Sequence, residues 1–92
     1  MDIKPPYMHL KVISRKGLDG FAISNQNVRE DGSLGSVVKA YPENVDKLYY
    51  DFISMIGEKS NLRLKLSLEK DAPYWRKATL QKIVRKHNNR FD

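Results

Sequence analysis

Between Asn61 and Glu69 the chain alternates without a fault: Leu62, Leu64, Leu66 and Leu68 take one set of positions, and Arg63, Lys65, Ser67 and Glu69 the other. Successive side chains of a strand point to opposite faces, so this segment requires a sheet with one buried and one wetted surface. An all-helical fold is excluded. The rest of the chain must supply partner strands and a cover for the leucine face.

Partner strands are legible upstream. Tyr7 to Lys16 alternates Met8, Leu10 and Val12 with His9, Lys11 and Ile13, and Gly17, Asp19 and Gly20 supply turn chemistry before Phe21, Ala22 and Ile23 resume an extended pattern, which reads as a hairpin. Asn25 to Gly35 is polar and broken by Asp31, Gly32 and Gly35, so a loop or second turn is expected there, with a short third strand at Ser36 to Ala40 around Val37 and Val38. The cover comes from two helical patterns. One begins at Tyr41-Pro42-Glu43, with the proline in the first turn and Glu43 and Asp46 near the positive end of the dipole; Val45, Leu48, Tyr49, Phe52 and Ile56 follow at helical spacing, and Gly57 ends it. The other begins at Asp71 as N-cap with Pro73 in the first turn, and places Leu80, Ile83, Val84, His87 and Phe91 in a sector about 100° wide. The expected fold is α+β: a small, mostly antiparallel sheet of three to four strands with two helices packed on one face, in the order β-β-(β)-α-β-α.

Ninety-two residues without repeat or linker make a single domain, 1–92, and 40% apolar with 30% charged residues is the composition of a globular chain. The apolar runs fall far short of the ~18 residues of a spanning helix, and Met1 to Pro6 lacks the apolar core of a secretion signal, so cytoplasmic residence is the expectation. There is no cysteine and there are two histidines, His9 and His87, in no metal-binding spacing, so neither metal nor cofactor is expected. The glycine pairs Gly17/Gly20 and Gly32/Gly35 are turn glycines, without the lysine-serine pair of a phosphate-binding loop.

Charge is the feature that points to a partner. The net +6 is concentrated in residues 72–91, where Arg76, Lys77, Lys82, Arg85, Lys86 and Arg90 occur with no acid among them. Such a field favours a polyanion or an acidic protein surface. Opposite the apolar sector of the last helix the wheel gathers Trp75, Ala78, Lys82, Arg85, Lys86 and Asn89. The cations would pair with phosphates, Arg76, Lys77 and Arg90 would extend the patch, and Trp75 would stack on an unpaired base, which makes single-stranded RNA, or a nucleoprotein complex, the favoured partner. The plain alternative is a solvated basic face with Trp75 folded back onto a strand edge or the other helix. A second basic surface arises if the leucines face the helices: His9, Lys11, Arg63 and Lys65 then share the open side of the sheet. It lacks the aromatic signature of an RRM, and solvated polar side chains are its plain reading. Two other readings remain. Tyr49, Tyr50 and Met55 on the first helix would serve a protein-binding module, and His87 with Arg85 or a lysine would serve a small ribonuclease, although a histidine on an apolar face is first a core histidine.

With its small size, lack of cysteine and of any catalytic constellation, and basic last helix, the chain resembles, as a class, the phage-encoded inhibitors of host defence, anti-CRISPR proteins in particular. That class shares no common fold or motif, so no residue role carries over. What the resemblance implies is a non-enzymatic inhibitor of a CRISPR surveillance complex, with the basic helix contacting guide RNA or an acidic surface of the ribonucleoprotein.

Overall fold

The computed structural model describes residues 4–15, 20–57, 61–69 and 74–91. Four strands, β1 (Tyr7–Ser14), β2 (Phe21–Val28), β3 (Leu34–Ala40) and β4 (Arg63–Leu68), form one sheet in the order β3-β2-β1-β4. Two helices, α1 (Val45–Gly57) and α2 (Tyr74–Asn88), accompany it, and a 3₁₀ turn (Asn89–Phe91) ends the described chain. The β3-β2 and β2-β1 pairs are antiparallel, whereas β4 joins β1 in parallel. The fold is therefore α+β with a four-strand mixed sheet. Chain direction explains the parallel pair: after β3 the chain crosses the sheet through α1 before laying down β4 at the far edge, the long connection that parallel neighbours need.

Register decides which side chains share a face. Met8, Leu10 and Val12 of β1 stand opposite Leu64, Leu66 and Leu68 of β4, and Val12 stands opposite Ile23 of β2. These apolar positions lie on one side of the pleat, and Leu48, Phe52 and Ile56 of α1 with Leu80 and Val84 of α2 close over them to make the core. His87 is the one buried polar side chain among the described residues, and Phe91 is half-buried beside it. The sector Leu80, Ile83, Val84, His87 and Phe91 is thus the inward side of α2, as its spacing predicts.

Three boundaries differ from the sequence-based expectation. β2 continues through Asn25 to Val28, where a loop is expected, because Asn25 and Asn27 sit opposite Leu10 and Met8 and cross-strand pairing outweighs their weak strand preference. The turn is confined to residues 29–33, with Asp31 Oδ1 accepting from the Ser33 amide at 2.9 Å and Gly32 at φ +85°. α1 starts at Val45 rather than in the Tyr41-Pro42-Glu43 segment: Asn44 is its N-cap, Oδ1 accepting from the Lys47 amide at 2.9 Å. Pro42 instead lies buried ahead of the helix, its carbonyl accepting from the Phe21 amide at 2.8 Å. The predicted turn at Gly17 and Asp19 and the cap at Asp71 with Pro73 fall outside the described residues. No described helix is long and apolar enough to cross a membrane.

Candidate nucleic-acid interface

α2 carries its cations on two different sides. Lys82, Arg85 and Lys86 are exposed, as is Arg90 in the turn that follows, and among the described residues no carboxylate lies within ion-pairing distance of any of them. Arg76 and Lys77 are half-buried, and Arg76 sets its guanidinium 4.8 Å from the centre of the Phe21 ring. Helical spacing gives the reason. Arg76 lies four residues and Lys77 three before Leu80, which puts both on the inward flank, where their aliphatic stems cover the core. They point away from the patch they were expected to extend. The side chain of Trp75 lies outside the described part of the chain.

The C-terminal end of α2 is fastened to the sheet. Asn88 bridges the outer edge of β4, its Oδ1 accepting from the Leu64 amide at 2.8 Å and its Nδ2 donating to the Leu64 carbonyl at 2.9 Å. Arg63 donates to the Phe91 carbonyl at 2.8 Å and stacks 5.6 Å from that ring's centre. The exposed row Lys82, Lys86 and Arg90 is thereby held at a fixed angle to the sheet. His87 Nε2 lies 2.7 Å from the Leu62 carbonyl oxygen, which can only accept, so this nitrogen carries the proton, and the ring packs 5.6 Å from Phe91. This contact, with 8% exposure, places His87 as a core histidine that ties α2 to the segment before β4.

The second basic surface is assembled as its alternation predicts. Tyr7 stands opposite Arg63, His9 opposite Lys65 and Lys11 opposite Ser67, all on the side of the sheet away from both helices. His9 Nε2 contacts Ser67 Oγ at 2.7 Å, and Lys65 lies 5.9 Å from the Tyr7 ring centre. Partial burial, then the charges of Lys65 and Lys11, hold the His9 imidazole below its ordinary pKa of 6.5. The same face carries groups that sequence reasoning missed. Ser24 and Gln26 of β2 sit opposite Lys11 and His9, and Lys39 and Val37 of β3 sit opposite Ser24 and Gln26. Together with Ile13, Ala22 and Tyr41 they line a concavity of about 490 Å³. Period-two alternation could have placed Lys39 beside Lys11, but only once β2 was read as a strand through Gln26.

On α1, Tyr50 and Ile53 are exposed at 69% and 54%, while Tyr49 and Met55 pack against the core. No group of three or more His, Asp or Glu among the described residues is arranged to hold a metal. The chain matches no protein-family model, and no curated protein or solved structure is significantly similar to it.

Proposed function

We propose that this protein is a non-enzymatic inhibitor or regulator that docks on a nucleic acid or a ribonucleoprotein through the outer face of α2, in the cytoplasm. The observation that carries the reading is the exposure of Lys82, Arg85, Lys86 and Arg90 with no carboxylate at ion-pairing distance among the described residues. Surface cations of a globular protein usually interleave with acids, whose i,i+4 pairing adds a few tenths of a kcal/mol each. Omitting every acid over residues 72–91 forgoes that gain and leaves, on the exposed side of α2, a positive field that favours an external anion. The class-level resemblance narrows the partner to a CRISPR surveillance complex and its guide RNA.

The test is a salt titration of fluorescence anisotropy with labelled single-stranded RNA, single-stranded DNA and duplex, repeated on an assembled surveillance complex. Affinity should fall steeply with salt, and Lys82→Ala should weaken binding to every sequence and lower the salt slope by about one unit. Unchanged affinity and slope would remove Lys82 from the footprint. Exposed Tyr50 and Ile53 favour a second reading, a protein-binding module using α1. Binding that survives charge reversal at Lys82 and Lys86 but is lost on Tyr50→Ser with Ile53→Ser would select it.

A further inference from the structure

The concavity on the open face has a definite structural origin. Register puts Ser67, Lys11, Ser24 and Lys39 in one row across all four strands, with Lys65, His9, Gln26 and Val37 in the next. β2, the inner strand of the trough, carries the short side chains Ala22 and Ser24, while the flanking strands carry Lys11 and Ile13 on one side and Lys39 on the other, with Tyr41 just beyond β3. Short residues between two rows of long ones leave a trough, and at about 490 Å³ it falls within the usual range of ligand sites.

Its chemistry is specific. Lys11 and Lys39 are each one strand away from Ser24, so their backbones are about 10 Å apart with a hydroxyl between them. Among the described residues no acid lines the trough. The nearest described carboxylate along β4 is that of Glu69, and it accepts from the Ser14 amide at 2.7 Å. Two lysines flanking a hydroxyl in one row match a phosphate, which offers oxygens to all three. Beside them, Ala22, Ile13 and Tyr41 provide a flat apolar floor and wall, the complement of a planar base, and Arg15 holds the Tyr41 ring, its guanidinium 5.7 Å from the ring centre. Cations also continue past the trough. Lys65 lies opposite His9 and Arg63 opposite Tyr7, four residues along β1 from Lys11 and therefore about 13 Å away. Both cations have contacts within the fold, Arg63 with Phe91 and Lys65 with the Tyr7 ring, yet their positive charge still extends the field beyond the reach of a lone nucleotide and along the path of a strand with several phosphates.

We propose that the open face of the sheet is a groove for single-stranded nucleic acid, with one phosphate seated between Lys11 and Lys39 over Ser24, its base against Ala22, Ile13 and Tyr41, and the next phosphates toward Lys65 and Arg63. The groove faces away from α2, so it is a second surface that does not need the α2 reading to hold. The two surfaces meet at one edge: Arg90 directly precedes Phe91, whose carbonyl accepts from Arg63. A strand leaving the sheet past Arg63 arrives at the exposed cations of α2.

The experiment uses anisotropy with a short labelled single-stranded RNA and three proteins besides the parent: Lys11→Ala with Lys39→Ala, Ser24→Phe, and Lys82→Ala with Lys86→Ala. Ser24→Phe fills the trough without altering any charge, and the aromatic residue suits a strand. Circular dichroism and thermal melting confirm that each variant is folded. Folded Ser24→Phe should bind at least about tenfold more weakly, the weight of one lost stacking contact. Folded Lys11→Ala with Lys39→Ala should lower the salt slope by roughly 0.7, one phosphate's worth for a single strand. Wild-type affinity in both groove variants, or absence of any binding by the parent at low salt, would overturn the groove. Binding lost only in the α2 variant would overturn it while leaving the α2 surface standing. Loss in the groove variants alone would do the reverse.

Discussion

Asn88→Ala should destabilise the protein far more than an ordinary surface substitution, because one amide serves both polar groups of a buried residue. Leu64 is fully buried, and β4 is an edge strand hydrogen-bonded only to β1, so its outward N–H and C=O have Asn88 as their partner, at 2.8 and 2.9 Å. Truncation removes both bonds at once. A buried backbone group left unpaired costs about 1–3 kcal/mol, and some access of water at the edge trims that, so the expected loss is roughly 2–4 kcal/mol. In a domain of this size it lowers the melting temperature by roughly 10–30 °C. Asn88→Asp offers no rescue: it retains the acceptor for the Leu64 amide but sets a carboxylate oxygen against the Leu64 carbonyl and adds negative charge at the C-terminal end of α2. Urea denaturation of the three proteins, with hydrogen exchange at the Leu64 amide, measures both the loss and its location. A loss below about 0.5 kcal/mol for Asn88→Ala, or exchange at Leu64 no faster than in the parent, would refute the bridge as the fastening of α2 to the sheet.

Three further outcomes follow from the same geometry. His9 binds its proton less readily folded than unfolded, owing to burial and to Lys65 on β4 and Lys11 on β1, with only neutral Gln26 opposite it on β2; the unfolded chain therefore takes up more protons, and stability should decline as pH falls through about 6.5 and level off below the folded pKa. Urea midpoints between pH 5 and 8 should show that component vanish in His9→Gln, and a parallel pH profile in the variant would sink the assignment. Gly20→Ala should destabilise by about 1–3 kcal/mol, since Gly20 has φ +118° and a Cβ there would sit 2.7 Å from the Pro42 carbonyl oxygen; a melting temperature equal to the parent's would contradict the close approach. Leu80→Ala, at the contact of α2 with the core, should cost about 2–5 kcal/mol by chemical denaturation, and a loss under 1 kcal/mol would show that α2 is not packed as described.

The fold was readable wherever one face of an element is strongly apolar. Leu64, Leu66 and Leu68 were placed correctly because alternation in a half-buried strand has no competing interpretation, and Leu48, Phe52 and Ile56 because the helical period is equally distinct. Asn25 and Asn27 were not, since their place in β2 is set by pairing with β1, and pairing is a relation between segments that local composition does not carry. The start of α1 differs from its local sequence signal for a related reason. Pro42 is a good first-turn residue, but its carbonyl is taken by the Phe21 amide, a contact between distant segments, so the helix waits for the Asn44 cap.

For the candidate surfaces the division follows the same physics in a sharper form. Residue type marks Lys82, Arg85, Lys86 and Arg90 as a basic run, and helical spacing alone separates them from Arg76 and Lys77, whose positions before Leu80 turn them inward despite their charge. A helix can be sorted this way because all its neighbours are local. The open sheet face cannot: His9, Lys11, Arg63 and Lys65 meet through the β1-β4 register, and Lys39 joins them only through β2 and β3. The trough is therefore a property of sheet order, since exchanging β2 for a strand with long outward side chains would fill it without altering the net charge. A basic composition brings polyanions to the molecule from any direction. What singles out a strand able to lay one phosphate over Ser24 is the shortness of two residues on one strand, Ala22 and Ser24, and that is why the decisive variant is the uncharged Ser24→Phe.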